Sequence, residues 1–375
     1  MSSTVRLVVN REALLGAAAA GVRQPVYGIS RPTEALIQVL SRRRSSSPLF
    51  RRVGCVNPTK RVLGPRVHVE IDGVAVPLEL EGDLPVPAIV QLLSKAEDLD
   101  DRRRGLLPDG GLSGVEVHYV GAGSLGSNVA LLLAQAGVGH HRFYDCDQLD
   151  TPNLARHICG LSDHGREKSV AVADHVAMFG CDALGVTTDI LKLDEHVLDL
   201  QLKNASVVVA TTDSPAVQFV VNEAVVRLGK VGVFAGAYEL ARAGELLVVR
   251  PGHGPCLYCA TGFRASVAPA ASPHQRRQAY QAADSARLTA EPGLGLDITF
   301  LASVVAAHVL AVLDPTGSRG ALLQHGGFTL VHGPSAPQAE QAELFRRPMD
   351  VVHARVVRDE PCPVCGFCSV RGTPS

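Results

Sequence analysis

Residues 115–137, VEVHYVGAGSLGSNVALLLAQAG, constrain the chain more than any other stretch. An apolar, strand-type run enters Gly121, Gly123 and Gly126 without a spacer, and a helix-type run rich in Leu and Ala follows. In this G-x-G-x-x-G order the first two glycines permit a tight turn and close approach of backbone to a phosphate. The third permits close packing of helix on sheet, and the helix N-terminus offers unpaired N–H groups to an anion. HRFYD supplies a second strand, and ASVVVATTD at 205–213 is apolar enough for the centre of a parallel sheet. PAVQFVVNEAVVRLG then reads as a helix, KVGVFAGAY as a strand, and ELLVVR at 245–250 continues the alternation. The predicted class is α/β, built on a Rossmann-like, mostly parallel sheet.

Residues 1–110 read as a smaller α+β domain of accessory or substrate-clamping type, and 111–375 as the nucleotide-binding part. VRLVV and VHVEI are short strand-type runs, and Asp72-Gly73 before VAVPLEL is a hairpin signal. Ser30-Arg31-Pro32 before TEALIQVL predicts a helix start, and AIVQLLSKAEDL at 88–99 a second helix. RRRSSSPLFRR at 42–52 reads as a solvated loop, LLPDGGLSG at 106–114 as a linker, and 264–295 as a weakly periodic crossing segment. The apolar stretch from Ile298 to Leu313, about 16 residues, is short for a membrane span and predicts a buried helix. GGFTLVHG then reads as a late strand.

Composition removes several classes of function. With 36 basic against 37 acidic residues the formal charge is −1, which attracts neither nucleic acid nor an anionic membrane. With no Trp and 4% aromatics, base-stacking platforms are poorly supplied. The N-terminal residues show no apolar leader or anchor, so a cytoplasmic location is the expectation. Nine cysteines, an odd number, argue against a disulfide framework. Cys256 and Cys259 in CLYC and Cys362 and Cys365 in CPVC instead offer four thiolates suited to a tetrahedral structural zinc ion. Cys368 is close enough in sequence to compete as a ligand.

Asp147, 21 positions after Gly126, ends the second strand where a carboxylate can accept from ribose hydroxyls, and Asp145 is its neighbour or the true contact. That spacing alone favours NAD or FAD. Asn153, Arg156 and Lys168 follow, however, and Asp213 stands at the end of the VVVAT strand. Two basic groups and a carboxylate able to hold Mg²⁺ suit nucleotidyl transfer, where charge neutralisation and positioning do most of the work. An NAD- or FAD-dependent oxidoreductase leaves this series without a task. A non-catalytic nucleotide-binding adaptor is the remaining alternative.

The run GAGSLGSNVALLLAQAGVGHHRFYDCDQLDTPNLARH, with GREK, TTDS and the paired cysteines, resembles the adenylyltransferases of the ubiquitin-activating-enzyme, ThiF and MoeB superfamily. The resemblance covers roughly 112–368 and implies a ThiF-type domain. It also implies ATP-dependent adenylation of the C-terminal carboxylate of a ubiquitin-like protein or a peptide, with release of pyrophosphate. By position it makes Asp147 the ribose aspartate, Asn153 and Arg156 the asparagine and phosphate arginine, Lys168 the phosphate lysine, and Asp213 the magnesium aspartate. His157 stands where the family often has Gln. Arg102, Arg103 and Arg104 are weak candidates for reaching a partner subunit's site, and the helix at 298–313 for a homodimer face. No cysteine lies between Cys259 and Cys362, where thioester-forming relatives commonly carry one. Cys55, Cys146, Cys159 and Cys181 read as packing residues, Cys159 being the nearest to the site in sequence. An enzyme that stops at the acyl-adenylate is therefore expected.

Overall fold

The computed structural model describes short elements between residues 6 and 108, then 111–267, 293–324, 327–334 and 345–366. Arg102, Arg104, Cys368, residues 42–50 of the basic loop and most of the expected crossing segment lie outside the described residues. The chain divides into two compact units, Met1–Gly105 and Leu106–Ser375.

The first unit contains β1 (Arg6–Asn10), α1 (Arg11–Ala18), β2 (Gln24–Arg31), β3 (Leu36–Ser41), β4 (Arg51–Val56), β5 (Arg66–Ile71), β6 (Val74–Leu80) and β7 (Ile89–Leu93). Its sheet runs β5-β6-β4-β2-β3-β1-β7. Two sequence expectations fail here. The stretch expected to open a helix after Pro32 becomes β3, with Ile37 and Val39 buried at strand spacing. The start of the helix expected at 88–99 becomes β7, paired in parallel with β1 from Arg6 opposite Ile89 to Asn10 opposite Leu93. Short apolar runs such as LIQVL and IVQLL fit either period, and the partner strand β1, flanked by both, decides. Leu14 and Ala17 of α1 pack with Leu7, Val9, Ile37, Val39, Val76 and Leu78 in the core of this unit.

The second unit begins β8 (Glu116–Val120), α2 (Ser124–Gln135), β9 (His140–Asp145), α3 (Lys168–Ala177) and β10 (Asp182–Thr187). It continues α4 (Glu195–Leu202), β11 (Val207–Ala210), α5 (Pro215–Arg227), β12 (Val231–Ala237), β13 (Ala243–Val249) and α6 (Leu257–Val267). After the undescribed stretch come α7 (Gly295–Leu313), β14 (Gly327–His332) and β15 (Val351–Arg355). The sheet order is β10-β9-β8-β11-β12-β13-β14-β15. The first five strands are parallel and the last three antiparallel. Strand order reverses between β8 and β11, so the crevice outside their carboxyl ends is where such a sheet takes its ligand.

Both faces of the sheet are covered, which explains why β11 is buried along its whole length. On one face Leu125, Val129 and Leu133 of α2, Val172 of α3 and Leu301, Val305 and Val309 of α7 close over Val117, Tyr119, Val207 and Val209. On the other, Leu198 of α4, Val221 and Val225 of α5 and Leu257 of α6 close over Val120, Val208 and Phe234. Helix α7 starts three residues before the expected point and, at 19 residues, is long and apolar enough by composition to cross a membrane. Half of that window is buried within the protein, Asp297 is buried in its first turn, and His308 Nδ1 lies 2.8 Å from the Val304 carbonyl. These contacts make it a core helix.

Candidate functional site

The glycine loop is held by contacts that no side chain could share. Gly121 has φ +99°, and a Cβ there would lie 2.8 Å from the Thr212 nitrogen. A Cβ on Gly126 would come 2.2 Å from the Gly121 carbonyl oxygen and 2.5 Å from Thr211 Oγ1. Gly123 is different: it is the extended N-cap of α2, and a Cβ there meets nothing within 4 Å. That open side, with no side chain capping the helix, leaves the first-turn N–H groups of α2 turned to whatever anion enters.

Four polar side chains fix the loop from outside. Thr211 Oγ1 donates to the Gly121 carbonyl at 3.0 Å. Asp145 accepts from the Ala122 N–H at 2.7 Å and the Asp147 N–H at 2.9 Å, so both its oxygens serve the backbone. Burial raises its pKa, and those two donors oppose the shift. His157 Nε2 lies 2.8 Å from the Ala122 carbonyl while Nδ1 accepts the Cys159 N–H at 3.2 Å. This pairing assigns the proton to Nε2 and suits only the neutral ring. Asn128 spans the Ser124 carbonyl at 2.8 Å and the Arg156 carbonyl at 3.1 Å, tying α2 to the NLAR segment.

The sequence-predicted residues gather around this loop. Asp147 is exposed and forms an ion pair with Lys168, the first residue of α3, at 2.8 Å. Asn153 completes a capping box, its Oδ1 accepting from the Asp150 N–H at 3.2 Å, which leaves the side-chain NH₂ without a partner among the described residues. Arg156 makes no ion pair among the described residues; a Cβ on Gly293 would lie 3.0 Å from its Nη1 and 2.8 Å from Ala241 Cβ. Leu240 and Ala241, beside it, hold φ values of +62° and +53°, a strained pair for residues with side chains. Asp213 follows β11, exposed and without an ion-pair partner among the described residues.

Sequence reasoning missed the residues that orient this set. Gln218 donates to the Thr212 carbonyl at 2.9 Å and accepts from Arg264 at 3.2 Å, and Arg264 Nε donates to buried Glu245 at 2.6 Å. Tyr238 donates to the other Glu245 oxygen at 2.7 Å. Only a buried polar residue within an apolar stretch, such as Glu245 in AGELLVV, marks such a network in sequence.

The four cysteines of the two C-x-x-C pairs come together, all sulfurs within 4.8 Å of one another. Cys256 Sγ is 3.9 Å from Cys259 and 3.6 Å from Cys362, and Cys259 Sγ is 3.4 Å from Cys365. A tetrahedral zinc ion with Zn–S near 2.3 Å needs sulfurs about 3.8 Å apart, so the spacing fits. Burial works against a Cys362 thiolate, yet N–H donors from Cys365 and Val364 bring its pKa down to about 7. A second trio, Cys159, Asp163 and His175, is occupied internally: Asp163 accepts from Gly160, Arg166 and His175. Cys159 is 4% exposed, and burial pushes its thiol up to about 12. Cys146, by contrast, is exposed between Asp145 and Asp147, its pKa raised by partial burial and by those carboxylates.

A family model described as "ThiF family" matches residues 110–342. The chain is 31% identical over 163 residues to the adenylyltransferase and sulfurtransferase UBA4 of Yarrowia lipolytica, covering 42% of this chain and 40% of that protein. It is 31% identical over 192 residues to MOCS3 of Arabidopsis thaliana, with 47% and 39% covered. Against the probable adenylyltransferase/sulfurtransferase MoeZ of Mycobacterium tuberculosis it is 32% identical over 163 residues, 41% of each. It thus spans about two-fifths of the length of these relatives. The crystal structure of E. coli MccB with ATP superimposes with a TM-score of 0.54 at 17% identity, over 72% of this chain and 75% of that one. The complex of MccB with AMPCPP and MccA gives 0.51 at 18%, over 68% and 67%. At those identities the structures establish the fold.

Two outcomes follow from the geometry. Burial lowers the His157 pKa to about 4, so the unfolded chain, with its pKa near 6.5, takes the proton first. Its stabilisation is complete above pH 6.5 and lost as the pH falls towards 4. Urea unfolding should show a loss of about 2 kcal/mol between pH 7.5 and 5 that is absent in His157→Gln; equal pH dependence in both proteins would contradict this. Protein purified without added zinc should carry about one zinc per chain, and chelation should expose the 345–366 segment to protease. Four freely reactive thiols and no metal would refute the zinc fit.

Proposed function

The chain belongs to the ThiF family, and from that premise we propose that it is an ATP-dependent adenylyltransferase that activates the C-terminal carboxylate of a ubiquitin-like protein or a peptide. The observation that carries this reading is a set of groups that have no side-chain or ion-pair partner among the described residues: the open α2 N-terminus, Arg156, the Asn153 amide and Asp213. The names of the relatives support it, as do MccB structures determined with ATP, AMPCPP and MccA. Their sulfurtransferase titles concern proteins of which this chain spans two-fifths, and no such activity is proposed for it.

A carboxylate oxygen attacks the α-phosphorus, the bond to the bridging oxygen breaks, and pyrophosphate leaves with the electron pair. Asp147 accepts from the ribose, which frees Lys168 from its ion pair to meet phosphate oxygens. Arg156 neutralises developing phosphoryl charge beside the strained 240–241 turn, and Asn153 donates its amide. Asp213 is the residue to hold Mg²⁺, which would neutralise the departing pyrophosphate. Asp145 holds the loop backbone through the Ala122 and Asp147 N–H groups. The acyl-adenylate is the final product on this chain, since buried Cys159 is a poor nucleophile and Cys146 is flanked by two carboxylates. We also propose an accessory or substrate-clamping role for the first unit and a cytoplasmic location.

Pyrophosphate–ATP exchange in the presence of the carboxyl partner tests the reaction. Asp213→Ala should lower it about 10²–10³-fold, and intact mass under non-reducing conditions should show no thiol-sensitive acyl adduct. Absence of exchange with every ubiquitin-like protein or peptide offered would refute the function. An adduct lost in Cys146→Ala or Cys159→Ala would refute the adenylate-only reading. We also propose a homodimer, supported by Leu294 and Leu296, 68% and 65% exposed where α7 begins. Light scattering should give twice 39.5 kDa, and a monomer at that mass would refute it.

A further inference from the structure

The parallel strands deliver the nucleotide crevice at their carboxyl ends; the opposite end of the same sheet carries a cavity of about 570 Å³. Val249, the last residue of β13, lies opposite Gly232 near the start of β12, and Arg355, the last of β15, lies opposite Gly327, the first of β14. Chain ends from β13 and β15 therefore meet there, bringing Arg250, Arg355 and Arg358 to the lining with His253, His353 and Gln324. Among the described residues no Asp or Glu lines it.

The pairing of these arginines sets them apart. Arg142 pairs with Glu116 and Asp182, Arg166 with Asp163 and Asp174, Arg227 with Asp199, and Arg264 with Glu245. Around the cavity, among the described residues, Arg250 donates only to the Leu323 carbonyl at 3.2 Å and Arg358 only to the Cys365 carbonyl. Arg355 is exposed, and none of the three has a carboxylate partner among the described residues. Asp359 and Glu360, next in the chain, form no ion pair with them among the described residues. Guanidinium groups carry a permanent positive charge, so the concavity gathers positive charge that no ion pair among the described residues neutralises.

We propose that this cavity is a second ligand site, for a compact small molecule bearing two or more phosphate groups. Planar guanidinium forks match phosphate oxygens two at a time, and the volume lies in the range of small-molecule pockets. The site is separate from the nucleotide crevice, and its position beside the Cys362–Cys365 knuckle lets an occupant fasten the C-terminal segment through Arg358.

Tripolyphosphate, titrated calorimetrically into the full-length chain, is the probe. Lys168→Ala weakens the nucleotide crevice and leaves this cavity untouched, so saturable binding should persist in that variant. Adding Arg355→Gln, an exposed position with no partner among the described residues, should weaken it by about tenfold or more, with zinc content and unfolding midpoint unchanged in the absence of probe. Citrate at equal ionic strength should bind more weakly. Loss of all saturable binding in Lys168→Ala, an isotherm unaltered by Arg355→Gln, or citrate binding as tightly as tripolyphosphate would each overturn the assignment. The adenylation reading stands or falls separately, on pyrophosphate exchange.

Discussion

The second unit depends on one backbone apposition: the Gly121 turn lies against the Thr211–Thr212 segment, with Gly126 closing over the Gly121 carbonyl. That contact joins the end of β8 to the end of β11, the two strands on either side of the reversal in strand order. It aims α2 at the crevice and places Asp213 one residue beyond the abutting backbone. Any side chain at Gly126 would push the helix off the sheet. The anion-binding helix end and the carboxylate opposite it would then separate together.

Polar side chains around the turn divide into those that hold the loop and those left free for a ligand. Asp145, His157 and Thr211 bond to backbone groups around the loop, as does the Asn128 amide NH₂. Among the described residues Arg156, Asp213 and the Asn153 amide do not, and the one ion-pair partner of Lys168 is an exposed carboxylate. Rigid support beneath unpaired charge is what electrostatic stabilisation of a phosphoryl group requires, because the donors need not reorganise as charge develops.

The antiparallel half of the sheet has a different task. β13, β14 and β15 carry the chain to the Cys₄ cluster, which ties α6 to the segment ending at Gly366 across about a hundred residues of sequence. Metal bound there would stabilise the fold by linking distant segments. Helix α6 also carries Arg264, whose bonds to Glu245 and Gln218 reach the Thr212 carbonyl. The cluster and the crevice thus share one supporting helix.

The sequence by itself determined the parts whose physics is local. Glycine spacing, the run of apolar strands and each C-x-x-C pair were legible because turn chemistry, periodicity and ligand spacing act over a few residues, while the roles expected of Asn153, Arg156, Lys168 and Asp213 came from the family resemblance. Tertiary structure decided what depends on partners distant in the chain. LIQVL and IVQLL became strands because β1 lies between them, not through any propensity of their own. Asp145 and Asp147 are indistinguishable in spacing, yet folding turns one to the Ala122 amide and the other to Lys168. Cys159, near the site in sequence, is buried, while Cys146 is exposed. The arginine-lined cavity has no sequence signature at all, since Arg250 and Arg355 lie about a hundred residues apart and meet only where β13 and β15 end together.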